Sequence, residues 1–137
     1  MVVLETPRVQ TVAYPAFEFR GPGVDLNYGP NYYAQATATG YFLTAPLHVP
    51  AGATLNEVRC MVLSPSGTNA QIQVYQNGGR VCTSALVANN GGPAAEGVAA
   101  CTVSITRTNF YYVQVSNLTS GTPGLTVEGA CFIKYTE

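Results

Sequence analysis

Charge is what this chain has least of. Of its 137 residues only 9% are Asp, Glu, Lys or Arg, against roughly 25% in an ordinary soluble domain. Lysine occurs once (Lys134), aspartate once (Asp25), histidine once (His48) and tryptophan not at all. Each shortage removes a class of function. The five arginines (Arg8, Arg20, Arg59, Arg80, Arg107) are scattered and the net charge is −1. A nucleic-acid surface needs clustered Lys and Arg to neutralise several phosphates, so no nucleic-acid partner is expected. One Asp leaves too few oxygens for a calcium loop. One His, and four cysteines with no C-x-x-C pair, argue against zinc. No metal or cofactor is therefore expected. No run reaches the ~18 apolar residues of a membrane helix, so no membrane partner is expected. Met1-Val2-Val3-Leu4 runs directly into Glu5, Pro7 and Arg8. Without a basic stretch ahead of an apolar one, no secretory leader is read there.

Catalysis finds little raw material. There is no G-x-S-x-G elbow. His48 sits between Leu47 and Val49, just before Pro50, where a structural or solvent-facing role accounts for it. Glu18, Asp25, Glu57, Glu96 and Glu128 could in principle supply a carboxylate pair. Glu57 lies two residues from Arg59, however, and Glu128 shares the outer face of the last strand with Lys134, so both read as solvated surface charge. No catalytic residue is assigned, and the chain is expected not to be an enzyme.

What is abundant points to strands and turns. The hydrophobic fraction is 47%, with 14 glycines and 9 prolines. That is too apolar for a disordered chain, and the length suits one domain. No window shows helical apolar spacing; the nearest, Ala94–Ala100, is interrupted by Gly97. Alternation with period two marks strands at Tyr41–Val49, Leu55–Leu63, Ala70–Gln76, Arg80–Leu86, Ala100–Thr106, Phe110–Ser116 and Leu125–Thr136. Pro46 makes the first of these an edge strand or a broken one. Asn77-Gly78-Gly79 is the strongest hairpin signal. Asn89-Asn90-Gly91-Gly92-Pro93 opens a long, weakly structured loop, and Ser64–Gly67 and Ser120–Gly124 read as turns. The fold class expected is all-β: a single antiparallel β-sandwich, jelly-roll-like. Immunoglobulin-like topology stays open, though without the Trp hallmark of antibody domains.

Parity suggests disulfides for the four cysteines, while the missing leader favours buried free thiols. If oxidised, the preferred pairing is Cys60 with Cys131 and Cys82 with Cys101. Cys60 and Cys131 fall on the apolar faces of their strands, and Cys82 and Cys101 flank the long loop.

The first forty residues are different. Thr6-Pro7, Tyr14-Pro15, Gly21-Pro22-Gly23 and Gly29-Pro30 break any regular ladder, yet the stretch is rich in aromatic and aliphatic residues. Residues 1–25 are read as an extended N-terminal arm and 26–137 as the sandwich domain. Val2, Leu4, Val9, Val12, Tyr14, Phe17 and Phe19 would be the arm's contact residues, either on another molecule or on its own sandwich as an extra edge strand. Tyr75 and Tyr112 are candidate surface-recognition residues, because tyrosine among neutral amides and hydroxyls suits protein interfaces and sugar-binding surfaces. The alternative is that such tyrosines only cover core edges.

Ala16-Phe17, the segment Ala45–Leu55 (APLHVPAGATL), Tyr111–Val115 and the closing Val127–Tyr135 together resemble a broad group of microbial and phage β-sandwich domains of mostly unassigned role. The resemblance covers the chain from about residue 12 to its end; it implies no enzyme and supplies no site residues. In plan, a sandwich with an arm is also similar to the trimeric capsid decoration (cement) proteins of tailed bacteriophages, which is an analogy of architecture. It implies a non-enzymatic viral structural protein, a homotrimer on the capsid surface of a virion, whose partners are itself and a capsid protein. The alternative is a carbohydrate-binding or adhesive module of a fibre or cell-surface protein, extracellular, with a glycan as partner.

Overall fold

The computed structural model describes residues 8–15, 24–27, 33–36, 42–64, 69–85, 87, 94–117 and 125–137. They form ten strands: β1 Val9–Pro15, β2 Val24–Asn27, β3 Tyr33–Ala36, β4 Phe42–Pro46, β5 Thr54–Leu63, β6 Ala70–Gln76, β7 Gly79–Thr83, β8 Ala95–Ser104, β9 Tyr111–Asn117 and β10 Thr126–Thr136. No helix long and apolar enough to cross a membrane occurs among the described residues.

All ladders are antiparallel and belong to two sheets. The larger runs β2-β3-β10-β5-β8, with β1 also paired to β10; the smaller runs β4-β9-β6-β7. From β4 onward the chain changes sheet at every connection except the tight β6–β7 hairpin, which makes the sandwich jelly-roll-like. The architecture is the all-β sandwich that alternation implies.

The two inner faces meet in one core. Leu43 and Ala45 of β4, Val58, Cys60 and Val62 of β5, and Ile72 and Val74 of β6 are buried there, with Tyr111, Val113 and Val115 of β9 and Val127, Cys131 and Ile133 of β10. Fully burying a Leu, Ile or Val side chain contributes about 1.5–3 kcal/mol relative to leaving it in water. The period of two therefore fixes which face of each strand turns inward. On β10 that period survives an irregularity. Glu128 pairs with Met61 and Cys131 with Cys60, so β10 holds two extra residues, Gly129 and Ala130. Two extra residues leave the face assignment unchanged, and Gly129 takes the positive φ of 65° that the bend needs.

Two expectations about boundaries are corrected. First, β8 begins at Ala95, inside what reads as loop, because small residues are demanded there. A Cβ on Gly97 would lie 2.6 Å from Ile72 Cδ1 and 3.0 Å from Val87 Cγ2. Its glycine thus marks close packing rather than a strand break. Second, over its described part the arm joins its own sandwich as an extra edge strand, one of the two placements expected of it, so the boundary between them is not a gap in pairing. β1 pairs along β10 from Val9↔Thr136 to Pro15↔Ala130, sharing that edge with β3. Backbone pairing attaches it: Val9 and Val12 remain exposed rather than buried, and Tyr14 stands opposite Cys131 in the register. The boundary expected at residue 25 falls inside β2, which pairs with β3. Val2, Leu4, Phe17 and Phe19 lie outside the described residues, as do positions 65–67, 89–93 and 120–124 of the expected turns and loop.

Cys60 is bonded to Cys131 and Cys82 to Cys101. The first bridge ties directly opposed residues of β5 and β10. The second joins β7 of the smaller sheet to β8 of the larger, so it fastens one sheet to the other.

On the loop-closure model, removing the Cys82–Cys101 bridge (separation 19) as C82A/C101A should destabilise the protein by about 3 kcal/mol. Removing Cys60–Cys131 (separation 71) as C60A/C131A should cost about 4 kcal/mol. Chemical denaturation of each variant checks both the size and the order. By the same measurement Gly97→Ala should cost about 1–3 kcal/mol through overpacking against Ile72 and Val87.

Candidate functional site

Because Tyr111, Val113 and Val115 point into the core, Tyr112, Gln114 and Ser116 point out of the smaller sheet. The ladder then lays side chains across that face in rows. Pro46, Tyr112 and Tyr75 stand in one row, with Arg80 at its end. Thr44, Gln114, Gln73 and Thr83 stand in the next, and Phe42, Ser116 and Gln71 in a third.

The first row is aromatic. Tyr75 and Tyr112 are directly opposed, and their rings stack with centroids 5.1 Å apart and planes within 3°. Phe110, just before β9, meets Tyr112 at 5.6 Å with the rings tilted by 37°. Phe110 is 60% exposed and Phe42 40%, which makes them part of an exposed apolar patch.

A groove of about 560 Å³ lies over β4 and β9, lined by Phe42, Thr44, Pro46, Phe110, Tyr112 and Gln114. That size is within the range of small-molecule sites. Tyr112 lines it and Tyr75 does not. Since Tyr75 covers one face of Tyr112, the face that the groove receives is the other one. Among the described residues, no charged side chain lines the groove.

Under the second and third rows lies a polar network with a fixed direction. The Ser84 carbonyl can only accept, and it takes a hydrogen bond from Gln71 Nε2 at 2.9 Å. Gln71 Oε1 must then face Gln73, whose Nε2 donates to it at 3.1 Å. Gln73 Oε1 in turn accepts from the Tyr75 hydroxyl at 3.0 Å, from Ser116 Oγ at 2.9 Å and, at 3.4 Å, from Gln114 Nε2. Gln114 Nε2 also donates to Ser116 Oγ at 2.7 Å. Gln114, with its amide nitrogen turned toward Gln73 and Ser116, is one of the residues that line the groove. Gln73 is itself buried, as a core-facing residue would be, although it stands on the outer face.

Beyond Phe110 and Pro46 a smaller groove, about 250 Å³, continues over the end of the sheet past His48, Thr106, Arg107 and Asn109. At its base the Tyr111 hydroxyl donates to the Ser104 carbonyl at 3.2 Å and accepts from the Thr106 amide at 3.1 Å. Burial pushes the Tyr111 phenol up, but hydrogen bonds from Thr106 and Asn109 outweigh it and leave the phenol below its ordinary value.

Among the described residues, one group of charges lies on the other side of the sandwich. Glu57, Arg59, Glu96, Glu128 and Lys134 all stand on the outer face of the larger sheet. Arg59 reaches Glu57 at 3.0 Å and Glu96 at 3.2 Å. The hydrogen bond that Arg59 donates to Glu57, then the charges of Glu57 and Glu96, push the guanidinium further up. No group of three or more His, Cys, Asp or Glu side chains converges among the described residues.

Of the residues singled out in the sequence, Tyr75 and Tyr112 are thus brought into direct contact. Phe42, Phe110 and Gln114 were missed. Their signal was parity on β4 and β9, but joining them to Tyr112 requires the strand order, which local sequence does not carry.

No family model and no curated protein matches the chain. Solved structures do match. A family 35 carbohydrate-binding module from Clostridium thermocellum superposes with a TM-score of 0.59 at 15% identity, over 90% of this chain and 97% of that one. CsCBM6-3 from Clostridium stercorarium, solved with cellobiose, gives 0.59 at 13% identity, over 91% and 92%. The CBM36-1 domain of a xylanase from the hindgut metagenome of Trinervitermes trinervoides gives 0.57 at 9%, over 91% and 96%. At such identities the likeness is one of fold. It corrects the expectation of a bacteriophage capsid decoration or cement protein, trimeric and virion-borne, because the whole sandwich takes the form of carbohydrate-binding modules. A sandwich carrying an arm was too general a plan to identify a viral protein.

Replacing Gln73 by Leu removes the acceptor on which Tyr75, Ser116 and Gln114 converge. The variant should lose about 1–3 kcal/mol in chemical denaturation, while Gln76→Leu, at the edge of the same strand, should change little.

Proposed function

We propose that this protein is a non-catalytic carbohydrate-binding module that holds a neutral glycan in the groove over β4 and β9. The observation that carries the reading is Tyr112, backed on one face by Tyr75 and open on the other to an uncharged groove. A pyranose ring has an apolar face of C–H groups and a rim of hydroxyls. Its apolar face stacks on an aromatic ring without needing charge, and its rim suits the Gln114 amide on the same wall. Phe110 and Phe42 bound the groove on either side of that ring.

Several features agree with this reading. The structural neighbours include a module solved with cellobiose. Two disulfides are at home in an oxidising, extracellular setting. The uncharged described lining of the groove suits an uncharged ligand.

Tyr112→Ala should weaken glycan binding by about tenfold or more, roughly 1.4 kcal/mol. Tyr75→Ala should weaken it less, because Tyr75 acts by backing Tyr112. Phe132→Ala, on the outer face of the larger sheet, should leave it unchanged. Titration calorimetry against soluble neutral oligosaccharides, chosen from a glycan array, measures all three. Affinity should stay flat as salt is added, since no ion pair forms. An array without hits, or native binding by Tyr112→Ala, would overturn the proposal.

A further inference from the structure

The most exposed aromatic wall of the groove, Phe110, sits on a short loop between β8 and β9. Its backbone is held there by a residue of a different hairpin. β6 and β7 are joined by a two-residue turn, Asn77-Gly78, closed by the pair Gln76↔Gly79. Both turn residues have positive φ, 50° at Asn77 and 87° at Gly78, as the favoured type I′ hairpin requires.

Along the β6–β9 ladder Gln76 is the last partner, opposite Tyr111. One step further, Asn77 stands opposite Phe110, and the chain is already leaving the sheet. Its backbone still donates to the Phe110 carbonyl at 2.8 Å. The return bond, which a continuing strand would accept on its own carbonyl, is accepted by the side chain instead: Phe110 N–H donates to Asn77 Oδ1 at 2.8 Å. The rest of the Asn77 amide is also engaged. Its Nδ2 donates to Asn109 Oδ1 at 2.7 Å, and Asn109 Nδ2 donates to Thr106 Oγ1 at 2.7 Å. Both backbone polar groups of Phe110 are thus held by one residue, and the loop before it is held by the same amide.

We infer that Asn77 is a positioning residue for glycan binding: its side chain extends the β6–β9 ladder by one step and fixes Phe110 as the wall of the groove beside Tyr112. This rests on the proposed glycan site and adds a residue that never touches the ligand. A wall already fixed before binding loses less freedom on binding, so part of the affinity depends on Asn77.

The identity of the residue matters at two levels, and they can be separated. The turn needs a residue that accepts positive φ, which Asn, Asp and Gly all do. The ladder extension needs a short side chain ending in an acceptor, the Oδ1 that Asn and Asp have and Gly lacks. Asn77→Gly keeps the turn and removes the acceptor; Asn77→Asp keeps both and alters only the contact with Asn109.

The test measures the full chain against a neutral oligosaccharide that the native protein binds. Asn77→Gly should weaken binding by about tenfold, Asn77→Asp should restore most of the affinity, and Asn77→Gly should add no loss in a Phe110→Ala background. Native affinity in Asn77→Gly, with Phe110→Ala impaired, would overturn the positioning role and leave the glycan site standing. Native affinity in both Phe110→Ala and Tyr112→Ala would overturn the glycan site, and this inference with it. Should Asn77→Gly fail to fold, amide exchange in the native protein decides. The Phe110 N–H should exchange far more slowly than an unprotected loop amide, and exchange at the unprotected rate would overturn the clamp.

Discussion

The inward set of β9, Tyr111, Val113 and Val115, is pressed against the core side chains of the facing sheet. A slip of one residue along either neighbour would turn those three into water and Tyr112, Gln114 and Ser116 into the core. Apolar burial therefore sets the register, and the register sets everything on the outer face. It places Tyr112 between Pro46 and Tyr75, and Gln114 between Thr44 and Gln73. The aromatic stack and the amide network are read-outs of that one constraint. So is the clamp on Phe110, since Asn77 reaches it only because Gln76 stands opposite Tyr111.

The same alternation sorts charge. A sandwich has two outer faces, and an even scatter of a few charges would leave both mildly polar. Here Glu57, Arg59, Glu96, Glu128 and Lys134 share the outer face of the larger sheet, while the smaller sheet has Arg80 at the edge of its aromatic row. Scarcity of charge alone fits any neutral contact, whether with protein or with sugar. Its placement agrees with the proposed site: the described residues that line the larger groove carry no charge, while Arg80 stands at the edge of the aromatic row and Arg107 beside the smaller groove.

Much of the sandwich was legible because strand periodicity is local. The inward sets of β5, β6 and β9 follow from alternation, and Cys60 and Cys131 share a core face for the same reason. The failures have two physical sources. Small residues carry weak strand preference, so Ala95–Ala100 reads as loop; only the Ile72 and Val87 side chains over Gly97 explain why nothing larger is there. Strand order is non-local, so Tyr75 and Tyr112 could be marked singly as outward but not as a stack, being 37 positions apart. Asn77 was legible as a turn residue and not as a clamp. The turn depends on its own φ, whereas the clamp depends on Phe110, 33 positions away. The capsid reading had a different weakness: it rested on composition and general plan, and neither is tied to one kind of sandwich.

The polarity of the network gives the groove a chemical direction. An isolated glutamine can turn its amide over and present either a donor or an acceptor, so it discriminates poorly. Gln114 is not free to do so. A flip would point its Oε1 at Gln73 Oε1, acceptor against acceptor, and Gln73 cannot flip in response while Gln71 holds its Nε2. Gln71 is fixed in turn by the Ser84 carbonyl, a backbone group that has only lone pairs to offer. Ser84 is itself anchored, its N–H donating to the Ile72 carbonyl and its Oγ accepting from the Ile72 amide. The orientation of a buried backbone carbonyl is thus carried through three amides to the groove wall. Under the proposed function, a glycan would meet an amide of set orientation beside an aromatic face, which suits a sugar hydroxyl next to its C–H surface.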